Sequence, residues 1–330
     1  MYPNEGTRIP EDHNDVLLPY PSCEVAYTMA PIITQWSRLI RFVAVETSRV
    51  HIGQPIDSTL DIGLAAYQGM LIKAYEILGS ALDPSAQMTS KILTVKQLLT
   101  PLSGEDVKVV RCLGLNYPAH ANEGKVEAPK FPNLFYKPVT SLIGPLAPVI
   151  IPAVAQPSAI HQSDYEAEFT VVIGRAAKNV TEAEALDYVL GYTGGNYVSF
   201  RQHQFAVSQW CFSKSFDNTN PFGPCLVAAS SIPDPQTVAI KFTLNGDTVQ
   251  DGTTADQLFS VKKTIAYLSQ GTTLQPGSII MTGTPSGVGF VQNPPLYLKD
   301  GDQMLTWMSG GIGTLANSVV EEKTPTTHLD

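Results

Sequence analysis

Short apolar runs separated by turn-forming residue pairs are the feature that most constrains this chain. Asn245-Gly246, Pro276-Gly277 and Asp300-Gly301 each stand beside runs rich in β-branched, aromatic or long apolar residues. Such pairs are typical of tight turns between strands. The 25 prolines are spread over all 330 residues and mark many loops. The pattern therefore predicts a β-rich α+β fold, a mixed β-sandwich or roll, and not a doubly wound sheet.

The distribution of residue types divides the chain into four parts. Residues 1–35 are rich in proline and polar residues and are interpreted as an N-terminal arm. Residues 36–105 are predicted to form a small α/β domain, in which a strand hairpin is followed by a helix over 64–79. Residues 106–322 are predicted to form the larger, catalytic domain, and 323–330 a tail.

Two helices are predicted within the larger domain. The first covers 181–193, where Thr181 and Glu184 have the spacing of a capping box. The second covers 259–271 and ends on a glycine.

Charge and cysteine usage exclude several classes of protein. The chain has 21 basic and 30 acidic residues, a net charge of −9, which argues against a nucleic-acid or anionic-membrane partner. We find no signal-peptide pattern and no apolar run long enough to cross a membrane, so a cytoplasmic location is expected. The four cysteines lack zinc-like spacing and are predicted to be reduced thiols: Cys23, Cys112, Cys211 and Cys225.

Two carboxylates open the most apolar strand of the sequence, YEAEFTVVIG. Side chains of a strand alternate between its faces, so Glu166 and Glu168 point the same way. They would repel each other unless water, a basic side chain or a metal ion lay between them. The pattern alone leaves these three possibilities open.

Three further segments contain residues suited to catalysis. His120 and Glu123 are three residues apart, so on a helical turn the carboxylate would orient the imidazole as a general base, unless the pair is incidental to a surface turn. Lys214 follows an aromatic stretch and either meets a substrate anion or is solvated. The glycines of TGTPSGVG either expose amides to an oxyanion or merely permit a tight turn. GIGTLA, near the end of the chain, imitates a dinucleotide fingerprint but is followed by too little chain for that fold.

These motifs, in their order, resemble the fumarylacetoacetate hydrolase family. The segments are GLNYPAHANE, FYKP, SDYEAEFTVVIGRAAKNVTEAEALDYVLGYTGGN, KSFDNTNPFGP, NGDTVQDGTT, MTGTPSGVG and GIGTLANSVV. The resemblance covers roughly residues 105–322, and the preceding small domain is similar to one that many members carry. It implies a fold of mixed sheets, a homodimer and a divalent metal, Mg²⁺ or Mn²⁺. It also implies a small carboxylic acid or dicarbonyl substrate that reacts through an enolate.

Roles are carried over to the matching positions. Glu166 and Glu168 match metal ligands, and His120 and Glu123 match an acid–base pair on a mobile segment. The remaining matches face the substrate: Lys214, as a catalytic group, Gln204 and Thr284.

One position departs from the family pattern. Tyr197 stands where an aspartate usually provides a further metal ligand. A neutral phenol is a poor ligand for magnesium, so a weakened metal site is expected. Tyr197 is then expected to face the substrate as a hydrogen-bond donor.

Three functions are compatible with this sequence. The first is metal-assisted C–C bond cleavage, by hydrolysis or decarboxylation, of a β-dicarbonyl or 2-oxo acid. The second is proton transfer, cyclisation or isomerisation of a specialised metabolite by a repurposed enzyme that need not bind metal. The third is a non-catalytic binding or scaffold subunit, against which the retention of the candidate residues argues.

Overall fold

The computed structural model describes residues 30–323. The predictions for 1–29 of the arm and for 324–330 of the tail lie outside these residues. Among the residues described, no helix is long and apolar enough to span a membrane. The homodimer and the cytoplasmic location stay predictions.

The N-terminal part is a ring of four antiparallel strands. Its elements are β1 (Arg38–Ala44), β2 (Val50–Pro55), α1 (Ile62–Tyr67), β3 (Lys73–Leu78) and β4 (Gln87–Leu99). β1 pairs with both β2 and β4, and β3 pairs with the other edges of those two strands. The helix predicted over 64–79 is wrong beyond its first turn. Gly69, with φ of +70°, ends α1, and the following apolar residues pair as β3.

Within residues 106–323, the larger part contains twelve strands and four α-helices. The strands are β5 (Val110–Gly114), β6 (Asn133–Lys137), β7 (Leu142–Ile143), β8 (Val149–Ile151), β9 (Ser163–Ile173), β10 (Val189–Phe200), β11 (Asn220–Ala228), β12 (Ala239–Leu244), β13 (Asp247–Thr253), β14 (Ile279–Met281), β15 (Gln303–Met308) and β16 (Gly313–Glu321). The helices are α2 (Pro118–Glu123), α3 (Ser158–His161), α4 (Arg201–Ala206) and α5 (Val261–Leu268).

These strands form two sheets. The larger has the order β2-β3-β4-β1-β11-β10-β9-β14-β5-β6, with β7 on β11, and the smaller has the order β13-β12-β15-β16-β8. Parallel and antiparallel pairs occur in both. The predicted β-rich fold of mixed sheets is confirmed. Because β1 also pairs with β11, the N-terminal ring is hydrogen-bonded to the large sheet, and the boundary near residue 105 stays a prediction.

β9 has a buried face on each side, as its alternation predicts. Tyr165 and Phe169 belong to the core between the two sheets, where the Tyr165 ring lies 4.7 Å from that of Phe242 in β12. Val172 belongs to a second core on the opposite face. Glu166 and Glu168 share the parity of Val172, so they lie on the face turned away from the small sheet.

The helix predicted over 181–193 is wrong, whereas the helix within 259–271 is confirmed as α5. The capping-box contact does form, because the Thr181 amide donates to a Glu184 carboxylate oxygen 3.2 Å away, and Thr181 Oγ1 donates to the same oxygen at 2.7 Å. Only one 3₁₀ turn follows, over Ala185–Tyr188, and β10 then begins at Val189. The apolar residues there gain a full strand ladder with β9, and this tertiary pairing outweighs the local capping signal.

Candidate active site

β9 and β10 present the acidic residues of the candidate site. Asp164, Glu166 and Glu168 alternate along one face of β9, and all three are buried. In the antiparallel register Tyr197 of β10 pairs with Glu166, and Ser199 pairs with Asp164. The even spacing of the acids therefore places three carboxylates and one phenol on a single buried surface.

Two buried cations neutralise the first two acids. Arg201, at the start of α4, lies 2.8 Å from Asp164 Oδ2 through Nη2 and 2.8 Å from Glu166 Oε1 through Nη1. Lys214 Nζ donates to the same Glu166 oxygen at 2.9 Å, and Ser199 Oγ donates to it as well. Of the three possibilities that the sequence leaves open, basic side chains thus lie against Glu166.

The proton affinities follow from burial and from these charges. Burial alone would raise the pKa of Glu166, but Arg201 and Lys214 hold that pKa well below its usual range. Burial lowers the pKa of Lys214, although Glu166 opposes the change. The pKa of Arg201 is raised, despite its burial, by Glu166 and Asp164. The Glu166 carboxylate therefore remains ionised inside the protein.

Glu168 and Tyr197 have unsatisfied polar atoms. Glu168 Oε2 accepts from the Gly283 amide at 2.9 Å. Within residues 30–323, neither Glu168 Oε1 nor the Tyr197 hydroxyl has a well-formed hydrogen bond, and both atoms are buried. Burial, together with Glu166, raises the pKa of Glu168 well above its ordinary value, and burial with both glutamates does the same for the pKa of Tyr197. Such orphaned groups are costly and mark a place where a ligand or water belongs.

Lys137, at the end of β6, is a third buried cation of the site. Its Nζ donates to the Lys214 carbonyl oxygen and lies 5.1 Å from the centroid of the Tyr197 ring. Lys214 Nζ lies 4.4 Å from the same centroid. Burial lowers the pKa of Lys137 to about 7.

The predicted pair of His120 and Glu123 forms on α2. His120 Nδ1 and Glu123 Oε1 are 2.8 Å apart. Glu123 Oε2 accepts from the Gly287 amide at 2.8 Å, which ties α2 to the loop after β14. With Nδ1 engaged by the carboxylate, Nε2 is the nitrogen of His120 left for a substrate or water.

Backbone amides of the glycine-rich loop donate hydrogen bonds to carboxylates. Gly283 donates to Glu168, Gly287 to Glu123, and Gly289 to Asp164. These three amides therefore position acids, and the oxyanion role considered for the loop is not available to them.

The predicted substrate-facing residues Gln204 and Thr284 are buried and hydrogen-bonded to the site. Gln204 Oε1 accepts from Arg201 at 3.0 Å, and Thr284 Oγ1 accepts from Gln250 Nε2 at 2.8 Å. Their contact with substrate stays a prediction.

A cavity of about 360 Å³ adjoins these elements. Most of its lining residues lie close in sequence to His120, Thr284 or Gln250, and the full lining is Tyr117, Pro118, Ala119, Asp251, Gly252, Asp256, Pro285 and Ser286. The cavity is large enough for a small organic molecule.

The donor set fits a divalent cation poorly. In the described chain, Glu166 Oε1 already accepts from Ser199, Arg201 and Lys214. Arg201 and Lys214 already compensate the charges of Asp164 and Glu166, and burial disfavours the ionised form of Glu168 and the charged form of Lys137. A divalent ion would add two positive charges to a buried cluster that is already neutral. No group of three His, Cys, Asp or Glu side chains suited to a metal occurs among residues 30–323. The roles predicted for Glu166 and Glu168 as metal ligands stay predictions.

Sequence reasoning missed four residues of this cluster. Asp164 continues the alternation of the two glutamates, which is a signal that could have identified it. Arg201, Lys137 and Ser199 lie on other elements, and only the pairing of those elements with β9 brings them to the acids. A charge inside an otherwise apolar segment was a sequence signal for Arg201 and Lys137, and Lys137 also lies in the segment FYKP.

The fold and this buried acid–base cluster define an enzyme of the fumarylacetoacetate hydrolase family, to which the chain belongs. Residues 109–320 match the family model for the fumarylacetoacetate (FAA) hydrolase C-terminal domain. The resemblance stated from the motifs is thereby confirmed.

Particular relatives carry several activities. A caffeoylpyruvate hydrolase from Neonothopanus nambi is 63% identical over 90% of this chain and 97% of that protein. A mitochondrial oxaloacetate tautomerase from Xenopus laevis is 36% identical over 80% of each. The crystal structure of a 2-hydroxyhepta-2,4-diene-1,7-dioate isomerase from Mycobacterium marinum has a TM-score of 0.70 and 32% identity, covering 87% of this chain and 100% of that one.

Proposed function

We propose that this enzyme hydrolyses the C–C bond between the acyl group and the pyruvate part of an acylpyruvate. The observation that carries the proposal is that one loop holds both halves of the site: its amides bind Glu123, the partner of His120, and Glu168, which lies on the same face of β9 as the Glu166 carboxylate bound by Lys214. A general base and a cation for an enolate are the two groups that this reaction requires. Similarity to caffeoylpyruvate hydrolase over nearly all of that protein supports the same reaction.

His120 would act first as a base and then as an acid. Its Nε2 removes a proton from water, and the oxygen of that water bonds to the acyl carbonyl carbon. The bond from this carbon to the adjacent methylene carbon breaks, and its electron pair forms the pyruvate enolate. His120 returns the proton to the methylene carbon, which yields pyruvate and a carboxylic acid. Glu123 orients the imidazole, and the Lys214 ammonium stabilises the negative enolate oxygen.

The cavity beside the His120–Glu123 pair can accommodate a bulky acyl group. The cavity is lined by Pro118 and Ala119, which precede His120 in α2, and by Asp251 and Asp256. Its volume of about 360 Å³ suits an aromatic acyl group better than an acetyl group. We therefore propose an acylpyruvate with an aromatic acyl group, as in caffeoylpyruvate, as the substrate class.

The family resemblance also implies a divalent metal, commonly Mg²⁺ or Mn²⁺. Held by Glu166 and Glu168, such a cation would stabilise the same enolate oxygen. Because the donor set suits it poorly, no step above depends on it.

Pyruvate release tests the proposal directly. Purified enzyme is incubated with caffeoylpyruvate, and pyruvate is followed with lactate dehydrogenase. We expect His120→Asn to lower kcat by about 10²–10⁴-fold, because proton transfer is lost. His51→Asn is the matched control, since His51 forms a similar pair with Glu76, 2.9 Å away, in the N-terminal ring. Full activity of His120→Asn, or no pyruvate from any acylpyruvate, would contradict the proposal.

Keto–enol tautomerisation of a 2-oxo acid is a second candidate. The His120–Glu123 pair can move a proton to and from carbon without water, and oxaloacetate tautomerases are among the relatives. Exchange of methylene protons with deuterated water, without release of pyruvate, would favour this function over hydrolysis.

A further inference from the structure

The phenol of Tyr197 and the free oxygen of Glu168 form a complementary pair. Both atoms are buried, and although the two side chains approach each other, neither atom has a well-formed hydrogen bond within the part of the chain described. The hydroxyl can donate a hydrogen bond, and the Glu168 oxygen can accept one. An enol hydroxyl needs one donor and one acceptor, so it would satisfy both atoms at once.

The surroundings favour an organic oxygen over a cation in this place. Both lysine side chains approach the ring of Tyr197. Lys214 Nζ lies 4.4 Å from the centroid of that ring, and Lys137 Nζ lies 5.1 Å from the same centroid. The Lys214 ammonium against this ring, with the Lys137 amine beside it, repels a divalent ion and attracts a developing enolate. Arg201 and Lys214 already neutralise Glu166.

We propose that Tyr197 and Glu168 bind the enol oxygen of the substrate directly, and that the positive charge of Lys214, with the Lys137 amine beside it, replaces a divalent metal at this centre. The choice of an enol-forming substrate rests on the proposed function. The exclusion of metal does not rest on the proposed function, because it follows from the donor atoms and charges of the protein alone.

Metal binding is measured first, without any substrate. Mn²⁺ is titrated into the purified full chain, and the free ion is followed by electron paramagnetic resonance. We expect wild-type enzyme to bind no stoichiometric Mn²⁺. We expect Tyr197→Asp, which adds a third carboxylate, to bind Mn²⁺ at least tenfold more tightly than wild type. Tyr197→Phe, the matched control, should gain no affinity.

Turnover of an acylpyruvate gives the second measurement. A chelator should leave wild-type activity unchanged, whereas Tyr197→Phe should raise KM by about tenfold through loss of one buried hydrogen bond.

The outcomes separate the two proposals. Stoichiometric Mn²⁺ in wild-type enzyme, or activity lost to a chelator and restored by Mn²⁺, would overturn this inference even if Tyr197→Asp failed to fold. An unchanged KM in a folded Tyr197→Phe would overturn the role given to the phenol. Absence of metal together with no acylpyruvate turnover would refute the proposed function while leaving the metal-free centre supported.

Discussion

Lys137 illustrates how strongly a single buried residue can be perturbed. Its ammonium group lies inside the protein, with the Lys214 carbonyl as a hydrogen-bond acceptor and the Tyr197 ring beside it. Burial penalises the charged form and lowers the pKa of Lys137 from 10.5 to about 7. In the unfolded chain the same lysine keeps its proton up to its ordinary pKa.

This difference predicts a pH dependence of stability. Between pH 7 and 10.5 the unfolded lysine holds a proton that the folded one has lost, so unfolding takes up a proton. The free energy of unfolding should therefore rise with pH across this window, by up to about 1.4 kcal/mol per pH unit from this group. Lys137→Met should lack that rise, and Lys241→Met, at a partly exposed surface site, should retain it. Urea unfolding at several pH values measures both, and a pH-independent difference between wild type and Lys137→Met would refute the assignment.

At the scale of elements, the loop after β14 joins the site together. Three of its amides hold carboxylates from β9 and α2, so its backbone sets the positions of both the acidic surface and the His120–Glu123 pair. Gly283 has a φ of +94°, and a Cβ built there would lie 2.7 Å from Asn116 Cβ. Only glycine suits such a conformation and such a close approach.

Gly283→Ala tests this role of the loop. Gly246 provides the control, because it has a φ of +93° in the turn between β12 and β13, but a Cβ there would meet nothing within 4 Å. We expect Gly246→Ala to lower the free energy of unfolding by about 1 kcal/mol through backbone strain alone. Gly283→Ala should cost about 2–4 kcal/mol, because a clash is added, and should also lower kcat. Equal losses in the two variants would show that the contact with Asn116 is unimportant.

At the scale of the whole molecule, Asp61 links the N-terminal ring to the small sheet. It caps α1 by accepting from the Leu64 amide at 3.0 Å. It also accepts from the amide of Thr314, in β16, at 2.9 Å and from its hydroxyl at 2.6 Å. Together with the pairing of β1 and β11, these contacts join the two parts of the chain.

We predict that the two parts unfold as one unit. Trp36 reports on the N-terminal part, and Trp210 and Trp307 report on the larger part, so tryptophan fluorescence and far-UV circular dichroism should give coincident urea transitions. Asp61→Ala should lower the free energy of unfolding by about 2–4 kcal/mol, since a helix cap and two further hydrogen bonds are lost. Asp57→Ala, which removes an exposed turn contact to Thr59, should cost less than about 1 kcal/mol. Separate urea transitions for the two probes, or equal losses of free energy of unfolding in Asp61→Ala and Asp57→Ala, would contradict this prediction.

Local pattern determined much of this protein. Turn pairs and alternating apolar residues predicted the β-rich fold of mixed sheets, the buried faces of β9 and the common direction of Glu166 and Glu168. The spacing of His120 and Glu123 predicted their contact. These features depend on neighbours within a few residues, for which the geometry of a strand or a helical turn is sufficient.

Only the tertiary structure decided what lies against those acids and which local signals prevail. Arg201 and Lys214 reach Glu166 from separate segments, and Lys137 arrives from β6, since sheet pairing brings together residues distant in the chain. The same pairing turned the segments after residues 72 and 188 into β3 and β10, although each has a helical pattern. Charge compensation and strand pairing are long-range effects, because burial makes an unpaired charge or an unpaired backbone group too costly wherever its partner lies in the sequence.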